Sequence, residues 1–175
     1  MKLDVQPPNF IYCPFCGQKL SVKAEENKSI KFCKACAWAY YPHVGGSANA
    51  IIIDSSKVLL VKRNREPYLG TWMFPAGFID YGEHPQDTIV REVKEEVGLK
   101  VISTSLIDIL QTVDDPQSPG HFAFFYQATV QKGTATNSDQ DENSQIAWFD
   151  LDNLPPIGWQ NHQKIIQRFV NHKSD

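Results

Sequence analysis

The chain has 175 residues, of which 42% are apolar and 21% charged, with a formal net charge of −3 at pH 7. That length allows one well-buried domain and a small accessory module. No stretch approaches the about 20 consecutive apolar residues that span a bilayer, the segment Met1–Asn9 carries Asp4 and two prolines in place of an apolar signal core, and slight acidity gives no electrostatic reason to bind nucleic acid nonspecifically. A cytoplasmic protein without membrane or nucleic-acid partners is the expectation.

The first module is marked by its cysteines. The four of them stand as Cys13-x₂-Cys16 and Cys33-x₂-Cys36, with 16 residues between the pairs, which is zinc-ribbon spacing. Each pair lies on a tight turn that aims two thiolates at one point. Bystander thiols or two disulfides are the alternatives. Disulfides are disfavoured without a secretion signal, and scattered thiols rarely fall into this pattern. Structural Zn²⁺ held by Cys13, Cys16, Cys33 and Cys36 is therefore expected, with His43 as a weaker candidate ligand. So short a segment buries little core, so the metal would supply its folding energy. Residues 1–43 are assigned to this N-terminal segment and ribbon, and 44–175 to the main domain, with Val44-Gly45-Gly46-Ser47 as the joint.

Within the main domain, Ala48–Asp54 and Lys57–Arg63 predict two strands around the turn at Asp54-Ser55-Ser56. A Gly/Pro-rich loop, Glu66–Gly82, follows. His84–Val97 predicts the clearest helix, with Pro85 suited to its first turn and Gly98 to the position past its end. Val101–Val113 and His121–Val130 predict strands around the turn-rich stretch Asp114–Gly120. Lys132–Asn143 is polar and predicts a mobile loop, Ile146–Phe149 a short strand, and Trp159–His172 an amphipathic helix with Ile165, Ile166, Phe169 and Val170 inward. The fold class is α+β.

The helix carries the chemistry. At about 100° per residue, Ile89, Val90, Val93 and Val97 share one buried arc, and Glu92, Glu95 and Glu96 lie along its edge. Arg91, Lys94 and Asp87 point to solvent. Like charges at i and i+4 cost a few tenths of a kcal/mol, and carboxylates in the last turn oppose the helix dipole at about 0.3–1 kcal/mol each. A plain solvated face would mix acids with bases. Three acids gathered here are better explained by a divalent cation, and an all-oxygen ligand set suits Mg²⁺ or Mn²⁺.

The residues around the helix read Gly77-x₅-Glu83-x₇-Arg91-Glu92-Val93-x-Glu95-Glu96-x-Gly98-Leu99. This pattern resembles the Nudix box at every defined position. Leu59–Arg63, Gly70–Phe78 and Trp148–Pro155 extend the similarity across residues 47 to about 170, and the ribbon makes the chain similar to the zinc-ribbon subgroup with NADH and FAD pyrophosphatases. The resemblance implies a Nudix α/β/α sandwich. It implies an enzyme that cleaves the diphosphate of a nucleotide linked to another moiety, with Glu92, Glu95, Glu96 and the Gly77 carbonyl holding catalytic Mg²⁺. Arg91 would orient the glutamates, and Glu83 would tie the loop to the metal shell.

Glu142 falls where this family places a distal acid that serves as base, and it equally fits one more charge in a polar loop. Arg63, Trp72 and Phe74 are candidate substrate contacts. The stretch Val101–Gly120 lacks tryptophan, unlike NADH-specific members, and Pro116 stands near a proline of ADP-ribose hydrolases. An ADP-ribose-like dinucleotide is the expected substrate. RNA-cap removal and a silent nucleotide sensor are the alternatives, and a homodimer is left open.

Overall fold

The computed structural model describes residues 8–26 and 28–171. They fall into two compact units that divide between Val44 and Gly45. The first is a small antiparallel sheet of β1 (Ser21–Glu25), β2 (Lys28–Cys33) and β3 (Trp38–Tyr40), in that order. Its buried apolar residues are few: Cys13, Leu20, Ile30 and Cys33. A core this small needs a covalent or metal staple.

The second unit has two sheets. One runs β8 (Ala76–Phe78), β4 (Gly46–Ile51), β10 (Phe122–Val130), β9 (Val101–Gln111), with β10 parallel to β4 and antiparallel to β9. The other runs β11 (Asn143–Asp150), β6 (Lys57–Arg63), β5 (Ile53–Asp54), and β7 (Trp72–Met73) pairs with β6. Gly46 and Ser47, read from sequence as part of a joint, begin β4 opposite Phe122 and Ala123. The single strand expected over Ala48–Asp54 is broken at Ile52 and serves both sheets, β4 in one and β5 in the other.

Two helices complete the unit, α1 (Pro85–Val97) and α2 (Gln160–Asn171). The side-chain period of 2 explains why two cores form. Ala48, Ala50, Leu59 and Val61 pack with Ile89, Val93 and Val97 of α1. The intervening Ile51, Val58 and Leu60 pack with Ile165 and Ile166 of α2. Strands buried on both faces read as unbroken apolar runs, as Val58–Val61 does. His172, the expected end of α2, lies outside the described residues.

The first turn of α1 is capped by the His84 side chain, which accepts from the Gln86 N–H at 3.2 Å, and its last by Gly98 in the left-handed region at φ 67°. The polar stretch after β10 is not simply loose. Thr136 N–H donates to the Val97 carbonyl and Ser138 N–H to the Glu96 carbonyl, supplying partners that a helix end otherwise lacks. The buried arc of α1 needs one correction: Val90 is exposed at 45%, and Thr88 is fully buried in its place.

Candidate active site

Glu92 and Glu96, one helical turn apart, are both buried, at 9% and 2% exposure. Gly77 on β8 makes room for the first of them. A Cβ on Gly77 would stand 1.7 Å from Glu92 Oε1 and 2.1 Å from its Cδ, so the carboxylate rests against bare backbone. Burial raises the Glu92 pKa, with the Arg91 guanidinium opposing. Glu96 is anchored inward: Oε2 accepts from the Ala76 N–H at 2.8 Å and Oε1 from Asn143 Nδ2 at 2.6 Å. These donors favour the carboxylate, yet burial outweighs them and pushes its pKa up to about 8.

Glu95 differs, with a side chain 56% exposed whose bond is to Arg91 at 3.3 Å. The three acids thus do not converge evenly. Glu92 lines a cavity of about 360 Å³, Glu96 is sealed behind it, and Glu95 lies outside.

Arg91 does not point to solvent as the helical wheel implies; it folds along the helix. Nε and Nη2 grip both oxygens of Glu83 at 3.0 and 2.9 Å, Nη1 reaches Glu92 and Glu95, and Nη2 also donates to the Phe78 carbonyl at 3.0 Å. All five guanidinium N–H groups are used. Glu83 also accepts from Thr88 Oγ1 at 2.7 Å and from the Asp80 N–H. The Arg91 bonds, helped by these two donors, hold its carboxyl down to about 2. The loop before α1 and the helix are therefore tied by one cation.

Glu142 and Arg63 also line the cavity. Glu142 is ion-paired with Arg65. Arg63 donates from Nε to the Pro67 carbonyl at 2.7 Å and lies 5.4 Å from the Trp159 ring centre. Trp72 and Phe74 are a correction. They are 8% and 1% exposed and sit in the α2-side core, Trp72 against Phe149 and Phe74 against His162, and neither lines the cavity. Their place in a Gly/Pro-rich loop suggested ligand contact, but alternation along β7 and the adjoining turn sends them inward.

Sequence reasoning missed much of the remaining wall: Thr112, Asp115, His121, Asn161 and His162. His121 Nε2 meets Thr112 Oγ1 at 3.1 Å, and Asn161 Nδ2 donates to the same oxygen at 2.9 Å. No spacing announces these residues, because they come from a turn and from the start of α2, far apart in the chain.

In the first unit the four cysteines are free, and their sulfurs all lie within 4.8 Å of one another. Among the described residues they are the only such group of three or more potential metal ligands. The backbone N–H of Cys36, with the neighbouring thiols, lowers the Cys33 thiol to about 7, whereas Cys36 is raised to about 12, chiefly by Cys16. Such a group suits a soft or borderline cation.

A glycine-cradled carboxylate on a helix edge, an arginine-tied loop before it and a mixed-sheet sandwich around it make up this candidate site. The chain belongs to the Nudix family: the NUDIX domain model matches residues 44–169. It is 31% identical over 160 residues to an ADP-ribose pyrophosphatase of Methanocaldococcus jannaschii, covering 90% of this chain and 89% of that protein. It is 28% identical over 146 residues to the NAD-capped RNA hydrolase NudC of Pseudomonas aeruginosa, covering 83% of this chain and only 50% of that one. Among solved structures, a NUDIX hydrolase from Nitrosomonas europaea superposes with a TM-score of 0.76 at 20% identity, over 94% of this chain and 93% of its own. A MutT NUDIX hydrolase from Burkholderia pseudomallei gives 0.66 at 26% identity, over 71% and 97%. Enzymes of this family use a divalent metal.

Proposed function

We propose that this Nudix hydrolase cleaves the diphosphate bond of ADP-ribose or a similar dinucleotide, FAD or NADH among them, with catalytic Mg²⁺ or Mn²⁺ and structural Zn²⁺. The observation that carries the reading is the packing of the cavity-lining Glu92 carboxylate where no Cβ can stand. The substrate rests on the likeness to an ADP-ribose pyrophosphatase and on Pro116. Residues 44–175 would form the hydrolase domain and 1–43 the ribbon, in a cytoplasmic protein; a homodimer is compatible with this reading.

The four clustered cysteines fit Zn²⁺ in chemistry and spacing. The carboxylates fit Mg²⁺ in donor type, with Glu92 at the cavity, Glu95 outside it and both Glu96 oxygens engaged by Ala76 and Asn143. Glu92, Glu95, Glu96 and the Gly77 carbonyl offer only oxygen, which suits Mg²⁺. When bound, the ion would screen phosphate charge and lower the pKa of a water. The chain's own groups have separate tasks. Arg91 and the ionised Glu83 fix the loop against the helix, and Glu96 is held by Ala76 and Asn143. Arg63 supplies a cation in the cavity wall for a substrate phosphate. Glu142, facing the same cavity, is the candidate base. Cys13, Cys16, Cys33 and Cys36 would hold Zn²⁺.

The test is product analysis with Mg²⁺ over ADP-ribose, FAD, NADH, an NAD-capped oligoribonucleotide, diadenosine polyphosphates and nucleoside triphosphates. ADP-ribose or FAD should give AMP with a higher kcat/KM than NADH, and Glu142→Gln should lower kcat by about 10²–10⁴ with Mg²⁺ dependence unchanged. Faster turnover of nucleoside triphosphates than of every dinucleotide would overturn the substrate reading. Preference for the capped oligonucleotide would instead favour the function named for the NudC relatives.

A further inference from the structure

Three residues of the cavity wall, far from α1 in sequence, are nearly sealed from solvent: Asn49, Asp115 and His162, at 2%, 6% and 3% exposure. Each keeps one polar atom without a hydrogen bond among the described residues. Asn49 donates from Nδ2 to the Phe124 carbonyl at 3.2 Å, which fixes the amide orientation and leaves Oδ1 without a donor. Asp115 Oδ1 accepts from the Gln117 N–H at 2.9 Å. Its Oδ2 lies 3.7 Å from His121 Nδ1, whose closer contact is the Ser118 carbonyl at 2.7 Å.

His162 is settled by its surroundings. Its Nδ1 accepts from the Phe74 N–H at 3.2 Å, and burial, with Arg63 and His121 nearby, lowers its pKa to about 3. The ring is neutral at ordinary pH, so its one proton sits on Nε2, a donor with no protein acceptor. Among the described residues, the buried side-chain atoms that lack both solvent and partners are Asp114 Oδ1 and Asn137 Oδ1. The three wall atoms are not among them, so each keeps some exposure, and their residues line the cavity. Polar atoms that face a cavity are satisfied by what occupies it, water or the polar groups of a ligand.

We propose that Asn49 Oδ1, Asp115 Oδ2 and the His162 Nε2–H form a sugar subsite that binds the vicinal hydroxyls of a ribose joined to the diphosphate. The proposal rests on the substrate class given above and names the group that sets its specificity. Two acceptors and one fixed donor match a diol, which offers two O–H donors and lone pairs on the same oxygens. A carboxylate accepting from ribose hydroxyls is the arrangement dinucleotide-binding sheets use. A phosphate is repelled by Asp115. The Trp159 ring is already occupied, with Arg63 over it and the Tyr68 ring against it, so the aromatic face open to a base is that of the exposed Phe78 on the same wall. Glu92 lines the same cavity, so a sugar bound here is continuous with the acidic helix.

The test compares kcat/KM for ADP-ribose with two analogues, one lacking the 2-hydroxyl of the adenosine ribose and one lacking that of the terminal ribose. Wild-type enzyme should discriminate against one of them by about 10- to 100-fold, the worth of one hydrogen bond to a charged group, which also tells which ribose is bound. Asp115→Asn is isosteric, keeps an acceptor for Gln117 and turns Oδ2 into a donor. It should bring the ratio close to one, with thermal unfolding as the check on its fold. Equal kcat/KM for all three substrates in wild-type enzyme would overturn the proposal, whatever the variant does. If ADP-ribose is not hydrolysed, the substrate reading fails alone, and calorimetry with ribose 5-phosphate and 2-deoxyribose 5-phosphate decides the subsite. Tighter binding of the ribose form sustains it; equal or absent binding of both overturns it.

Discussion

Gly77→Ala is the sharpest perturbation of the proposed active site. The φ angle of Gly77 is not in the left-handed region, so alanine meets no backbone strain there. The obstacle is the Glu92 carboxylate, 1.7 Å from where the new Cβ would stand. Ordinary contact needs about 3.5 Å, so the carboxylate must retreat by roughly 1.5–2 Å. It is the free end of a flexible side chain, so the fold should lose only what the Arg91–Glu92 bond contributes, about 1–2 kcal/mol. Displacing a catalytic group by about 1 Å can cost 10²-fold in rate. We expect kcat to fall by at least about 10²-fold and Tm by only a few degrees, measured as Mg²⁺-dependent hydrolysis beside thermal unfolding. Gly70→Ala should show the reverse profile. Gly70 has φ +77° and nothing within 4 Å, so it should lose about 1 kcal/mol of stability with activity intact. Activity within about threefold of wild type for Gly77→Ala would refute the assignment of Glu92.

Purified protein should hold one zinc per chain, and Cys33→Ser should abolish it together with ribbon folding, read by metal analysis and circular dichroism; zinc-free fresh protein would dismiss the ribbon. His162 should make the metal-free protein acid-sensitive. Its folded pKa, about 3, lies below the unfolded value, so its stabilisation is complete above about pH 6.5 and is lost progressively toward pH 3. The slope approaches about 1.4 kcal/mol per pH unit, and denaturant titrations should show it reduced in His162→Gln.

Much of this was legible because it is local. The α1 boundaries follow from Pro85 and Gly98, and the spacing of Glu92 and Glu96 puts both acids on one edge of the helix. What stayed hidden depends on tertiary partners. A helical wheel sends Arg91 outward, but a long side chain bends to wherever acceptors lie, and Glu83 and the Phe78 carbonyl lie along the helix. Thr88 is buried because Glu83 accepts from its hydroxyl, a preference no apolar pattern carries. The strand break at Ile52 is set by the need to serve two sheets. Asp115, His121 and His162 come together only when the turn after β9 and the start of α2 meet the same cavity.

The five bonds of Arg91 bear on how tightly anything can bind here. They join the loop at Glu83 and the Phe78 carbonyl to the helix at Glu92 and Glu95. Ordering a backbone residue costs about 1–2 kcal/mol of conformational entropy, and in this loop that cost falls at folding. A ligand that docks on the Glu92 edge meets a surface already in place, and keeps as affinity what a floppy loop would have consumed.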